Sequence, residues 1–438
     1  MTDDAVTVLV PVYNTQKYLR HCLDSLAAQT LSSIKFLCID DGSTDESAEI
    51  LSEYANADDR FEIISKQNSG YGASMNRGLD ACSSKYVGIV EPDDFADSHM
   101  FENLFFLAEE TGAEVVKSNY YEHRTGDLPR DDRFEESLDF SKFLDSDKAT
   151  PYGDIFSARD DSRILWCPAS IWSGLYRLDY LKGEGVRFLE TPGASFQDTS
   201  FNLRALMGAD RIALDKRGYL HYRIDNANSS VKSADKSMYI CDEYEEAWRY
   251  VRLSQDRYST FSSALAGVQF KAYCWNQWRL ARRFREGFFN HFYAEFKTLE
   301  KNGVLDRSYF SEYDWNDINQ LLNRPDQFFQ RVCGALGIEK TTVLLLDHET
   351  SEAAFRRFVS ECDETTEVVV YRVDGEAACF DLAPYVAADR RIVLADNLIK
   401  DGEIDFLSLR GESIRFAYAS EKGRRHPGLF SGLMARAN

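Results

Sequence analysis

The side chains best suited to chemistry in this sequence are three acids within four positions, Glu91, Asp93 and Asp94. They follow an apolar run that predicts a buried strand, and carboxylates crowded beside a strand are costly unless a positive charge shares them. Carboxylate oxygens suit Mg²⁺ or Mn²⁺, which commonly keep substrate phosphates as their remaining ligands. The motif therefore predicts a divalent-metal site. The acidic N-terminus of a helix is the alternative.

A second acidic pair, Asp40 and Asp41, is followed by Gly42 and Ser43. A carboxylate at the end of a strand can accept the N3–H of a pyrimidine and the hydroxyls of a ribose, which predicts a nucleoside site. The alternative is a turn followed by a helix cap, and the spacing of Ser43 and Glu46 is typical of a capping box. That alternative does not explain Asp40.

Asp198 is the third candidate. It follows a loop marked by Pro192 and Gly193 and precedes a helix predicted over 199–207. A lone aspartate in this place can simply cap the helix. It becomes a candidate general base if the fold returns it to the crevice where the other acids lie.

These motifs lie where predicted strands end. Apolar runs alternate with segments of helical period and predict strands over 6–12, 34–39, 61–64 and 86–90. Pro11, near the end of the first run, removes a backbone donor and helps to turn the chain outward. Repeated strand–helix units imply a mainly parallel α/β sheet with helices on both faces. Ligands bind at the carboxyl ends of such strands.

The rest of the chain has a different character. Residues 122–163 are polar and predict loops and short helices, 237–336 are helical in period and rich in aromatic residues, and another α/β pattern begins near 342. We therefore expect three parts: 1–235, a helical region over 236–338, and a C-terminal α/β domain over 339–438 that need not be complete.

Composition limits the classes of function. Lys+Arg 51 against Asp+Glu 72 gives a net charge of -21, which argues against a general nucleic-acid binder. A hydrophobic content of 44% excludes disorder as the dominant state. The sequence shows no cationic leader and no long apolar run, and its nine cysteines form no Cys-x-x-Cys pair. These features predict a cytoplasmic protein with reduced thiols.

Taken together, the motifs resemble the family-2 inverting glycosyltransferases with the GT-A fold. The resemblance covers about residues 5–230, and the matching segments are 8–14, 25–26, 29–30, 39–45, 68–70, 76–78, 91–95, 173–177 and 197–198. It implies a Rossmann-like, mostly parallel sheet that binds a nucleotide-diphospho-sugar, and an acceptor hydroxyl that attacks the anomeric carbon.

The resemblance also implies roles for individual residues. Asp94 and Asp93 would hold the metal, and Asp198 would be the catalytic base. Donor binding is implied for a larger set: Pro11, Tyr13, Asn14, Asp40, Asp41, Asn76, Asp93, His221 and Arg223. For His221, packing as a strand residue among neighbouring tyrosines is the open alternative.

The sequence departs from the family pattern at three positions. Gln197 stands where many members have Glu, Met75 stands where Arg is common, and Glu91 replaces the first Asp of the acidic motif. The Gln-x-x-Arg-Trp motif and the transmembrane helices of the processive synthases are not found. A soluble, non-processive enzyme is therefore implied.

The expected function is a metal-dependent inverting transfer that uses Mn²⁺ or Mg²⁺ and a nucleotide-sugar donor, most simply a UDP-sugar. The acceptor would be a glycan or a lipid-linked molecule in bacterial surface polysaccharide biosynthesis. The alternative is a non-catalytic nucleotide-sugar-binding or scaffolding protein on the same fold. A dinucleotide-dependent dehydrogenase is excluded because no Gly-x-Gly-x-x-Gly follows the first strand.

One segment, 271–297, combines aromatic residues with several Arg and Lys. Three interpretations stay open for it. It can be an aromatic helical core with a solvated basic face, a helix that lies on anionic lipid and brings the enzyme to the inner face of the membrane, or an aromatic platform for the acceptor.

Overall fold

The computed structural model of this 438-residue chain describes residues 4–124, 132–144, 149–226, 236–280 and 282–333, and four strands nearer the C-terminus. The chain divides into two compact units, Met1–Val332 and Cys333–Asn438.

The first unit begins with alternating strands and helices, as the sequence pattern predicted. The strands are β1 (Val6–Val12), β2 (Ile34–Asp40), β3 (Phe61–Ser65) and β4 (Tyr86–Ile89). The helices that connect them are α1 (Gln16–Ala27), α2 (Ser47–Ala57) and α3 (Tyr71–Ala81). Every residue of β1 is buried, as expected for a parallel strand covered by helices on both faces.

Five further strands extend this sheet. They are β5 (Phe95–Ala96), β6 (Val115–His123), β7 (Asp132–Glu135), β8 (Gly174–Arg177) and β9 (Ile212–Arg223), and helices α4 (Met100–Thr111), α5 (Leu178–Glu184) and α6 (Gln197–Gly208) lie between them in sequence. Strand β6 was not predicted, because the polar residues Lys117, Ser118 and Asn119 interrupt the apolar pattern of a buried strand. All three are nevertheless buried.

The strand order is β3-β2-β1-β4-β8-β6-β9-β5, with β7 beside β6. Strand β1 pairs in parallel with both β2 and β4, whereas β8 is antiparallel to both β4 and β6. Strand β5 is antiparallel to β9, and β7 is antiparallel to β6. The sheet is therefore mostly parallel, with three antiparallel strands among those described. The acidic motifs lie at the carboxyl ends of β2 and β4, the two strands that flank β1. Because these strands are parallel, both motifs lie at the same edge of the sheet.

The region predicted to be helical contains α7 (Tyr239–Val251), α8 (Gln255–Arg279), α9 (Arg282–Lys301), α10 (Glu312–Asn323) and α11 (Pro325–Cys333). Its aromatic side chains form a core of their own. Phe270 packs against both Phe292 and Phe296, and Tyr273 packs against Phe288. All five rings are buried, so most of the aromatic residues in this segment are structural.

In the second unit the structure describes a four-stranded sheet. It contains β10 (Thr341–Asp347), β11 (Thr366–Arg372), β12 (Arg391–Asp396) and β13 (Asp405–Leu407) in the order β11-β10-β12-β13. The sequence pattern also predicts a helix near 353–359, a segment that lies outside the described residues. The division of the chain at 235 and 338 stays a prediction.

The predicted capping box is wrong. Helix α2 begins at Ser47, and its cap residue Glu46 makes no side-chain capping bond. The hydroxyl of Ser43 instead accepts the backbone N–H of Asn14 at 3.1 Å. Ser43 therefore ties the loop after β2 to the end of β1.

Candidate functional site

The acidic motif after β4 contains the least satisfied carboxylate of the site. Asp94 is 1% exposed, and its Oδ1 accepts the backbone N–H of Arg223 at 2.8 Å. Its Oδ2 is buried and has no hydrogen-bond partner. Burial raises the pKa of the Asp94 carboxyl well above its usual range, and the neighbouring carboxylates of Asp93 and Glu91 raise it further.

The other two acids of this motif are already engaged. Asp93 Oδ2 accepts the side-chain amide of Asn226 at 2.8 Å, and Glu91 Oε1 accepts the hydroxyl of Tyr71 at 2.6 Å. Burial raises the pKa of Glu91 to about 8, against the hydrogen bond from Tyr71, while Asp93 and Asp198 raise it further.

A divalent cation fits this donor set in one respect. A buried carboxylate oxygen without a partner is stabilised by a bound cation, and the ion's remaining ligands can come from a diphosphate. Among the residues that the structure describes, no group of three or more His, Cys, Asp or Glu side chains could hold a metal ion by itself. Asp94 would therefore be the main protein ligand and Asp93 a neighbour of the ion.

The two acids after β2 have different roles. Asp41 accepts the ammonium of Lys66 and the backbone N–H groups of Ser69 and Gly70, both at 2.9 Å. It therefore holds the loop before α3 and has little capacity left for a ligand. In Asp40, Oδ1 accepts the N–H of Ser43 at 3.0 Å, and no bond to Oδ2 is recorded.

The end of β1 lies beside Asp40, because Val12 is paired with it in register. Tyr13 is 49% exposed and forms an aromatic surface next to this pair. Asn14 has φ of 52°, and its Oδ1 accepts the backbone N–H of Thr44 at 2.8 Å. Asn14 therefore fixes the turn that presents Tyr13. Pro11 is buried within β1.

The loop before α6 is held by two buried amides. Asn76 donates to the carbonyl of Phe188 and to Glu190 Oε1, both at 2.9 Å, and accepts the N–H of Phe188. Gln197 donates to Thr191 Oγ1 at 2.7 Å and accepts the N–H of Ser195. Both amides therefore hold the loop in place, and the predicted contact of Asn76 with a donor stays a prediction.

Asp198 lies in the first turn of α6, and Phe196, rather than Asp198, is the cap residue. Burial raises the pKa of Asp198 to about 6, while hydrogen bonds from its own backbone N–H and that of Thr199 lower it. The ammonium of Lys117 also lowers it. A carboxyl with this pKa is ionised at neutral pH and can accept a proton.

Tyr222 lies on β9 and is influenced both by the acidic motif after β4 and by Asp198. It was not among the residues predicted from the sequence. Its ring stacks on Trp172, with ring centroids 5.0 Å apart. Burial raises the pKa of its hydroxyl, and the carboxylates of Asp94, Asp93 and Asp198 raise it further. All three carboxylates therefore lie within electrostatic reach of this hydroxyl. Only the alternation of side chains along β9 could have singled it out from its neighbours.

The neighbours of Tyr222 along β9, His221 and Arg223, are both engaged by other protein groups. His221 is stacked between Phe95 and Tyr121, at centroid distances of 4.4 and 4.9 Å, and its Nε2 lies 3.3 Å from Asp97 Oδ1. The alternative of strand packing therefore describes His221 better than phosphate binding.

Arg223 is turned toward the protein interior. It is 5% exposed, its Nε donates to the carbonyl of Asp93 at 2.9 Å, and its guanidinium lies over the ring of Tyr18. Together with Asp41, Asn76 and His221, it supports the walls of the site. The donor contacts expected of these four residues stay predictions.

The chain is similar in sequence to known glycosyltransferases. Residues 7–157 match the sequence model of Glycosyl transferase family 2. The chain is similar to the uncharacterized glycosyltransferase EpsJ of Bacillus subtilis, with 30% identity over 230 residues, 51% of this chain and 62% of that protein. It is also similar to glycosyltransferase GlyA of Streptococcus pneumoniae, with 41% identity over 121 residues, 28% of this chain and 17% of that protein. The chain thus spans less than two thirds of the length of these relatives.

A solved structure shows the same fold. The crystal structure of S. aureus TarS 1-349 in complex with UDP-GlcNAc has a TM-score of 0.58 at 16% identity, and the match covers 94% of this chain and 98% of that one. The sheet of the first unit therefore has the GT-A fold. Within the described residues, no helix is both long enough and apolar enough to cross a membrane.

Proposed function

Since residues 7–157 form a family-2 glycosyltransferase domain, we propose that this chain transfers a sugar from a nucleotide-sugar donor to an acceptor hydroxyl, with inversion at the anomeric carbon. The donor is a UDP-sugar, and the acceptor is a glycan or a lipid-linked saccharide of a surface polysaccharide.

One observation carries the proposal. The unpartnered carboxylate of Asp94 and the ionisable carboxyl of Asp198 both lie within electrostatic reach of the Tyr222 hydroxyl. An inverting transfer needs such a pair, one acid on the side of the leaving diphosphate and the other on the side of the attacking hydroxyl. The two acids are more than a hundred residues apart in sequence.

On the donor side, Asp40 and Tyr13 bind the nucleoside. The carboxylate of Asp40 accepts hydrogen bonds from it, and the exposed ring of Tyr13 offers a surface for the base. Asp94, with Asp93 nearby, holds Mn²⁺ or Mg²⁺. When bound, the cation neutralises negative charge that develops on the leaving diphosphate.

On the acceptor side, Asp198 accepts the proton of the attacking hydroxyl. Its pKa of about 6 leaves it mostly ionised at neutral pH while keeping it a stronger base than an exposed aspartate. Burial lowers the pKa of Lys117 to about 7, so this side chain, which donates to the carbonyl of Ser170, favours ionised Asp198 only while it carries its proton. The acceptor oxygen then forms the new glycosidic bond as the bond to the diphosphate breaks.

The test is UDP release from UDP-glucose, UDP-galactose and UDP-GlcNAc with simple pyranosides as acceptors and Mn²⁺ present. Asp198→Asn should lower the transfer rate by about 10²- to 10⁴-fold because the base is lost, while UDP binding persists. Asp59→Asn, at an exposed position away from the site, is the matched control. In the wild type, kcat/KM should rise with pH through about 6.

Two results would contradict the proposal. An Asp198→Asn variant with transfer within a few-fold of the wild type would remove the base from its role. Binding of UDP-sugars without any turnover, whichever acceptor is added, would favour the non-catalytic alternative.

A further inference from the structure

Trp275 is 44% exposed, whereas the rings that form the aromatic core of the helical region are buried. It lies on α8, whose neighbouring residues Tyr273, Asn276 and Gln277 are completely buried. The side-chain amide of Asn276 also donates to the carbonyl of Ser237 at 3.0 Å. The backbone that carries Trp275 is therefore well anchored, and the indole projects from a rigid support.

The exposed indole lies at the acceptor side of the candidate site. Its ring meets the ring of Phe196 edge to face, with centroids 6.1 Å apart and an interplanar angle of 84°. Phe196 caps α6 with φ of 61° and stands two residues before Asp198. The carbonyl of Ala194, in the same loop, accepts the ammonium of Lys236 at 2.6 Å, which fixes the rim of the site.

We propose that Trp275 and Phe196 form an acceptor subsite that stacks against the C–H face of a neutral pyranose ring. The inference rests on the proposed function, because it places the acceptor next to the base. Aromatic side chains offer a large apolar face at low conformational cost, and a pyranose has one apolar face with hydroxyls around its edge. Stacking would orient such a ring so that a hydroxyl at its edge points toward Asp198.

The observations favour a saccharide over a lipid surface. A helix that lies on a membrane needs a broad apolar face, whereas Phe288, Phe292 and Phe296 on α9 are buried in the helical core. The chain also carries a net charge of -21, which opposes contact with an anionic membrane. The exposed indole of Trp275 suits one sugar ring better than a bilayer.

The experiment measures saturation-transfer difference NMR of the full chain with methyl β-D-glucopyranoside and methyl β-D-galactopyranoside. Trp275→Leu keeps the apolar bulk but removes the aromatic face. Phe106→Leu, at a 58% exposed position on α4, makes the matching change elsewhere. We expect saturation of the pyranoside ring protons in the wild type, a loss of about fivefold or more in Trp275→Leu, and no change in Phe106→Leu.

UDP binding is measured on the same samples, so the two proposals can fail separately. Pyranoside binding that depends on Trp275, without any UDP binding, would refute the proposed function and leave the subsite intact. Equal saturation in Trp275→Leu and wild type would overturn the subsite, as would no saturation of either pyranoside by the wild type. Co-sedimentation with phosphatidylglycerol vesicles that is lost in Trp275→Leu would also overturn it, in favour of a lipid contact.

Discussion

Four carboxyl groups near Asp198 and the acidic motif after β4 all have a raised pKa. Burial is the largest cause that raises the pKa of Glu91, Asp94, Asp198 and Glu243. Clusters of such groups are typical of functional sites, where a ligand or cation offsets the cost of ionisation. Glu243 is the member that has no assigned chemical role. Its Oε2 accepts the N–H of Ser200 at 3.1 Å, and its Oε1 is buried without a partner.

Glu243 should make stability depend on pH. Its pKa is about 8 in the folded protein and 4.5 in a model peptide, so the folded state keeps a proton that the unfolded state releases. The stabilisation is complete below pH 4.5 and is lost as pH rises through 8. Glu243→Gln is neutral at every pH and does not lose this stabilisation. The melting temperature of Glu243→Gln minus that of the wild type should therefore be larger at pH 8.5 than at pH 5.

Differential scanning calorimetry at the two pH values measures this gain. Glu245→Gln, at an exposed glutamate on the same helix, is the matched control and should show a much smaller dependence. A difference in melting temperature between Glu243→Gln and wild type that is the same at both pH values would contradict the assignment.

At the scale of elements, the structure of the loop before α6 explains why Gln197 stands where many family members have Glu. The amide of Gln197 donates to Thr191 Oγ1 and to the carbonyl of Gly193, and its oxygen accepts the N–H of Ser195. A glutamate could accept but could not donate to the carbonyl. Gln197 is therefore suited to this loop, and its presence is not a sign that catalysis has been lost.

Gln197→Glu should consequently weaken the loop. It leaves the Gly193 carbonyl without its donor and buries a charge, so a loss of about 1–3 kcal/mol in the free energy of unfolding is expected. Urea denaturation measures the loss. Gln255→Glu makes the same change at the exposed start of α8 and should be nearly neutral. If Gln197→Glu were as stable as wild type and more active, the structural role of Gln197 would be refuted.

At the scale of the whole molecule, local patterns predicted the sheet better than they predicted the site walls. The run that became β1 has its predicted bounds because every residue in it is apolar or small enough to be buried. The partners of Asn76 could not be predicted in the same way, because Phe188 lies 112 residues away. The contacts of Arg223 with Tyr18 and the Asp93 carbonyl depend on tertiary packing in the same way.

The same limit explains why Tyr222 was missed. A tyrosine between a histidine and an arginine has no distinctive spacing. Its place near Asp94 and Asp198 depends on the pairing of β9 with β5 and on the stack against Trp172. The roles of Asp40, Asp94 and Asp198 in binding and catalysis stay predictions, supported by their burial, charge and common location.

We propose that these carboxylates belong to one site, in which Asp94 would hold a divalent cation that helps to bind the diphosphate of a nucleotide sugar. Calorimetric titration of UDP into wild type and Asp94→Asn, each with and without Mn²⁺, tests it most directly. The variant keeps an oxygen to accept the Arg223 N–H, so its fold should persist. We predict that Mn²⁺ tightens UDP binding about tenfold or more in the wild type, and that Asp94→Asn loses this gain. Equal UDP affinity with and without Mn²⁺ in the wild type, or an undiminished gain in Asp94→Asn, would contradict the account.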